Sequence, residues 1–306
     1  MADVHTPVFL NEVLEIFDPQ PGQVYVDATV NGGGHARALA DRIERTGRVI
    51  GIDLDRELIE DLRARNEQES RKNIELVHGN YADLGAILKR LGSDKVNSRC
   101  NVGVDGILFD LGFSSYHVDQ SGRGFSFLRD EPLDMRYDPT RNELTADKII
   151  NTWSEQAIEN LLRTCGQERH SRRIASRIVA ERKNKRIATA AVLAEIIRSS
   201  IPHKSLTRIH PATRTFQALR MAVNDELGNI ERGIWAAIEK LRGGGKIIAI
   251  SFHSLEDRSI KLFFQKLRKE QVLEVLTPKP LKPSIREMTI NPRARSAKLR
   301  AARKIG

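Results

Sequence analysis

An α/β fold, a parallel sheet interrupted by a mainly helical insert, is what this sequence predicts. Two observations carry that reading. From residue 22 to residue 110, short apolar runs alternate strictly with helical stretches, the pattern of crossover units in a parallel sheet. The rhythm then breaks after Gly112 and resumes only near residue 213, which places an insert inside the sheet domain. A chain of 306 residues, 40% of them hydrophobic, has the material for such a core.

The first strand is Val24-Tyr25-Val26-Asp27, followed by a glycine cluster and a helix reaching about residue 45. A second strand covers 48–53 and a helix 57–66; a third strand covers 73–78 and a short helix 84–91. The fourth strand is at 104–111. Residues 113–145 read as loop, with Ser121-Gly122-Arg123-Gly124, Pro132 and Pro139 as breakers, and 146–201 as almost continuous helix. A helix is expected at about 213–241, then a break at Gly243-Gly244-Gly245 and a strand at 246–252. A further strand at 272–276, a proline-rich turn at 278–283 and a basic end segment complete the chain. The expected division is 1–113 with 211–306 as the sheet domain and 114–210 as the insert.

Composition removes several classes of function. No apolar run approaches the roughly 18 residues of a membrane span, and the start has no basic segment followed by an apolar one. Two cysteines without CxxC spacing exclude a disulfide scaffold and a cysteine zinc site, so a cytoplasmic setting and no membrane partner are expected. The net charge of +10 is unevenly spread. Residues 163–220 hold 14 basic and 3 acidic residues, and 258–306 hold 14 and 3 again. Two basic blocks on an otherwise acidic body suit a polyanion such as nucleic acid. With 5% aromatics, a face built mainly on base stacking is disfavoured.

The sharpest local feature is Asp27-Ala28-Thr29-Val30-Asn31-Gly32-Gly33-Gly34-His35, between the first strand and its helix. Consecutive glycines let a ligand approach the backbone at a helix N-terminus. Asp53 ends the second strand, where a carboxylate can accept from both hydroxyls of a ribose. The glycines lack G-x-G-x-x-G spacing, and no Walker loop occurs, which disfavours dinucleotides and ATP hydrolysis. S-adenosyl-L-methionine, with no phosphate and an amino-acid head, suits the residues better. Tyr81, just beyond the third strand, is placed to lie against adenine or to serve as a core aromatic. Asp110 ends the fourth strand and is placed to face the reactive end of the cofactor.

At these residues the sequence resembles the RsmH/MraW family of bacterial small-subunit ribosomal RNA methyltransferases. The segments that carry the likeness are His5-Thr6-Pro7-Val8, Gly32–His35, Asp110-Leu111-Gly112-Phe113-Ser114-Ser115 with Arg123-Gly124-Phe125-Ser126-Phe127, the His210–Ala218 stretch, Ser251-Phe252-His253-Ser254-Leu255-Glu256-Asp257-Arg258, and Asn291-Pro292-Arg293-Ala294-Arg295-Ser296. The resemblance implies a Rossmann-like class I S-adenosylmethionine-dependent methyltransferase sheet with an inserted, mainly helical domain that reads RNA. It implies methylation of N4 of a decoding-centre cytosine in 16S rRNA, in the small subunit or its precursor. Cofactor contacts carry over to Gly33, Gly34, His35, Asp53, Tyr81 and Asp110. A further contact, usually glutamine in the family, falls on His117, which offers fewer hydrogen-bonding groups than an amide.

Cytosine N4 is a poor nucleophile, so its N–H must be accepted as the bond forms; Asp110 or a neighbouring carbonyl is the candidate acceptor, with a cofactor-only role as the alternative. No metal is required, because a sulfonium is already a good leaving group. Arg214, Arg293, Arg295, Lys298 and Arg300, with Arg303 and Lys304 beyond them, are expected to track RNA phosphates. Arg220 is expected to be structural, and His253 divides evenly between a satisfied strand-end histidine and a substrate contact. Two other readings stay open: a nicotinamide-dependent oxidoreductase, and a cofactor-free RNA-binding or assembly protein. The sequence leaves the oligomeric state undecided, a homodimer included.

Overall fold

The computed structural model describes residues 7–92, 103–112, 115–202 and 210–306, apart from the side chains of Ser115 and Arg293. His5, Thr6, Phe113 and Ser114 of the quoted motifs, and the Arg293 side chain, lie outside the described residues. The chain divides into two compact units, one of residues 1–112 with 227–306 and one of residues 113–226.

The first unit is a seven-stranded sheet in the order β3-β2-β1-β4-β5-β7-β6. Its parallel part comprises β1 (Val24–Asp27), β2 (Arg48–Asp53), β3 (Ile74–His78), β4 (Val104–Asp110) and β5 (Leu241–Ser251). The order reverses between β1 and β4, so the ends of those two strands open a crevice at the carboxyl edge. Side chains alternate along each strand, and both faces are apolar. Val26, Ile50, Ile107 and Ile247 pack with α4 (Leu84–Arg90), α11 (Glu226–Lys240) and α12 (Ser254–Lys269). Tyr25, Val49, Leu108 and Ile248 pack with α1 (Leu10–Phe17), α2 (Gly34–Arg42) and α3 (Arg56–Gln68) on the other face. The fold class is therefore the one the sequence predicts, a doubly wound sheet.

Two readings of this unit change. Gly243-Gly244-Gly245 does not precede the last parallel strand but lies within it. The β4–β5 register passes from Val104↔Leu241 to Gly106↔Lys246, and the extra residues form a bulge with Gly244 at φ 78°. The basic tail is strand β7 (Lys298–Lys304), antiparallel to β5 on one side and to β6 (Leu273–Val275) on the other.

The second unit is helical. Its long helical stretch is cut by caps: Thr145, Ser154 and Thr189 each accept a backbone N–H at the starts of α6 (Ala146–Thr152), α7 (Glu155–Thr164) and α9 (Ala190–Ser200). Between them lies α8 (Ser171–Asn184), and the short α5 (Ser115–Asp119) precedes them. The helix expected over 213–241 breaks into α10 (Thr213–Val223) and α11, because Asp225 takes a left-handed φ of 46° and the Asn224 amide donates to Met135 and Arg220 carbonyls. Phe216, Leu219 and Val223 of α10 join the core of this unit with Ile149, Leu162 and Ile178. The second unit thus runs to Glu226 rather than to residue 210.

Candidate active site

Asp27, Asp53 and Asp110 end β1, β2 and β4, and all three are buried. Parallel strands that finish at one edge bring them together. The loop after β1 stays hydrogen-bonded to both neighbours, with Ala28 N donating to Leu108 O and Val30 N to Ile52 O. Asn31 then turns at φ 47°, and its amide donates to Thr29 O and Asp110 O. Thr29 Oγ1 accepts from Asp110 N at 2.6 Å, so the loop and the end of β4 form one hydrogen-bonded piece.

Gly33 ends this loop at φ 79°, a left-handed conformation that a side chain disfavours, and caps α2. Gly34 has a packing reason as well: a Cβ there would meet the Pro7 ring at 2.9 Å. His35 is buried, and its Nε2 donates to Val8 O at 2.9 Å. With that hydrogen fixed, Nδ1 faces Asp110 Oδ2 at 3.6 Å, longer than a hydrogen bond but within reach of charge.

The three acids differ in their partners. Asp53 accepts from Asn31 N and Asp55 N, one on each oxygen. Asp27 Oδ1 accepts from Thr29 N, whereas Asp27 Oδ2 and Asp110 Oδ1 are buried with no hydrogen-bond partner among the described residues. Burial, reinforced by the charge of Asp53, pushes Asp27 up to about 7. Burial, with Asp27 and Glu256 nearby, likewise raises Asp110 well above the ordinary carboxyl range. The edge is thus short of hydrogen-bond donors and positive charge. A ligand with cationic centres and hydroxyl donors would satisfy it.

Tyr81 begins a 3-10 turn (Tyr81–Asp83) after Asn80, whose side chain accepts from Ala82 N. The Tyr81 ring meets Phe109 edge-on at 5.6 Å and lies over Gly233 of α11, where a Cβ would come within 2.5 Å of it. His117 belongs to the helical unit, buried in an aromatic cluster with Phe125 at 5.2 Å and Tyr137 at 4.8 Å. Asp27 is a site residue absent from the sequence-based candidates. Its signal was the same as that of Asp53, an acid at a strand end.

A model of the MraW methylase family matches residues 2–305. The chain belongs to that family. It is 42% identical over 317 residues to the ribosomal RNA small subunit methyltransferase H of Heliobacterium modesticaldum, covering 98% of each protein. It is 43% identical over 321 residues to the protein of the same name from Geobacter sulfurreducens, covering all of both. A crystal structure of an rRNA methylase from Streptococcus thermophilus aligns over the whole of both chains with TM-score 0.46 and 10% identity. The methyl donor is S-adenosyl-L-methionine. Its ammonium and ribose hydroxyls are hydrogen-bond donors that strand-end carboxyl groups can accept, and its cationic sulfonium suits a buried acidic edge, so Asp27, Asp53 and Asp110 fit the cofactor.

The basic residues separate clearly. Arg214 is exposed on α10, its Nη1 donating weakly to Gln167 O at 3.4 Å, and Arg295 is exposed in the turn before β7. Lys298 and Arg300 are paired within the sheet unit: Arg300 Nε donates to Asp257 Oδ1 at 2.6 Å with the side chain 7% exposed, and Lys298 Nζ donates to Oδ2 at 2.8 Å. Arg303 pairs with Glu274, and Lys304 Nζ donates to Ile238 O and Leu241 O. These side chains hold β7 in the sheet, because the tail is an internal strand rather than a free arm. Arg220 is structural, buried against both oxygens of Glu226. His253 takes the structural role too: it caps α12 in a reciprocal box with Glu256.

Among the described residues, no helix is long and apolar enough to cross a membrane.

Proposed function

We propose that this chain methylates the exocyclic N4 amine of a cytosine in small-subunit (16S) ribosomal RNA, near the decoding centre. The observation that carries the substrate class is identity of 42–43% over essentially the full length to proteins named ribosomal RNA small subunit methyltransferase H. The strand-edge acids support the site. In this reading the Gly33–Gly34 loop and His35 hold the amino-acid end of the donor, Asp53 accepts from the ribose hydroxyls, and Tyr81 fixes the adenine. His117 is a further cofactor contact, and the insert, with Arg214, and Arg295 near the chain end bind RNA; the quoted motif adds Arg293.

When bound, S-adenosylmethionine supplies a methyl group on a sulfonium, a leaving group that needs no activation. The chain's own task is to orient N4 and to accept its proton as the amine loses electron density. Asp110 is the candidate acceptor. Burial favours its protonated form, in which it could not accept; a cationic ligand beside it would favour the carboxylate. Donor binding and proton acceptance are thereby coupled at one side chain.

The test is transfer of labelled methyl groups to small ribosomal subunits and to naked RNA, with nucleoside analysis. N4-methylated cytidine supports the whole reading. Incorporation into another nucleoside would retain the donor site and refute the cytosine assignment. In Asp110→Asn, lost transfer with unchanged S-adenosylhomocysteine affinity supports the proton-accepting role, and lost affinity limits Asp110 to the cofactor.

A further inference from the structure

The two basic blocks are equal in charge but differ in how their untied cations are arranged. In the second, Lys298, Arg300, Arg303 and Lys304 are tied to Asp257, Glu274 and backbone carbonyls. Lys266, Arg268 and Lys269 occupy the last turn of α12, where positive charge complements the helix dipole. The fold by itself therefore explains seven of the fourteen basic residues of that block.

The first block is different. On α8, Ile174, Ala175 and Ile178 are buried, and Arg182 is turned inward to cap α6 through Ile150 O and Trp153 O. The opposite side is open. The side chains of Arg169, Arg172, Arg173 and Lys183 are exposed and make no hydrogen bond or ion pair among the described residues. Arg214 adjoins Arg169 through its contact with Gln167 O. Ser176 and Ala180, exposed between the cations, leave the helix surface low. From Arg172 to Lys183 the strip is about 16 Å long at 1.5 Å per residue.

Stability does not account for this strip. Arg172 and Arg173 stand in the first turn of α8, which holds no acidic residue and whose cap, His170, makes no side-chain cap hydrogen bond. Positive charge at a helix N-terminus opposes the helix dipole and is unfavourable. Two arginines at the wrong end of a dipole, with no partner, are residues that a polyanion would satisfy.

We infer that the exposed face of α8, with Arg169, Arg172, Arg173, Lys183 and the adjoining Arg214, is the surface of the insert that grips RNA phosphates, and that β7 is not. The assignment rests on the rRNA reading above. Guanidinium and ammonium groups on one helix face contact phosphates without reading bases, so they set affinity and salt dependence rather than the choice of cytosine.

The experiment compares the full-length chain with Arg172→Gln/Arg173→Gln and with an equal charge change on the second block, Lys282→Gln/Arg286→Gln. Affinity for small-subunit RNA is measured against salt concentration, and S-adenosylhomocysteine affinity and thermal melting check folding. Loss of two phosphate contacts should reduce the slope of log affinity against log salt by about 1.4–1.8, and affinity near 0.1 M salt by roughly 30-fold. The control should keep the parent slope, and S-adenosylhomocysteine affinity should hold in both. A parent chain that binds RNA, with an unchanged slope in the α8 variant or the same loss in the control, would overturn the α8 assignment alone. A parent chain that binds no small-subunit RNA would overturn the rRNA reading beneath it. Should the double variant melt early, Arg169→Gln/Lys183→Gln provides the same test at the two ends of the strip.

Discussion

Replacing Arg220 with Met isolates one interaction that holds the helical unit together. The guanidinium donates to both oxygens of Glu226, at 2.7 and 2.9 Å, and both side chains are 8% exposed. The Tyr137 hydroxyl also donates to Glu226, so the pair links α10 to the 113–145 segment. Methionine matches the length of the arginine stem but leaves a buried carboxylate without its cation, a change that typically costs about 3–5 kcal/mol. The expected loss lies in that range, measured by urea unfolding at pH 7. Arg220→Met/Glu226→Gln should recover part of the loss, since no buried charge remains. A single variant within about 0.5 kcal/mol of the parent would refute the argument.

Two further outcomes follow from the strand edge. Asp27, pushed up to about 7 from an ordinary 3.8, makes a contribution to stability that is complete below pH 3.8 and gone once pH has risen through about 7. Asp27→Asn should flatten the parent's decline in melting temperature across that window, and an unchanged profile would show that Asp27 ionises as an exposed acid does. Gly33→Ala forces a side chain into φ 79° and brings Cβ to 3.0 Å from Leu62, a strain of about 1–2 kcal/mol. Calorimetry should show weakened S-adenosylhomocysteine binding beyond what the drop in melting temperature explains; equal affinity would remove the loop from the donor site.

The sequence by itself determined the first four parallel strands, the presence of an insert and the acids at the strand ends, because each of these is a local signal. Strict alternation of apolar runs and helical periodicity specifies a parallel sheet, and parallel strands must end at one edge, so Asp27, Asp53 and Asp110 could be brought together before any coordinates. Charge could be counted in the same way, but its availability could not. Lys298 and Arg300 look like part of a basic arm until β7 pairs with β5 and turns them toward Asp257, 41 and 43 residues away in sequence. Arg172 and Arg173 have the same composition and the opposite fate, because the buried face of α8 is fixed by Ile174 and Ile178. The break between α10 and α11 was likewise hidden, since it depends on Asn224 reaching the Met135 carbonyl 89 residues away. Local pattern sets which elements form; which charges remain for a partner is decided only when tertiary packing has used the rest.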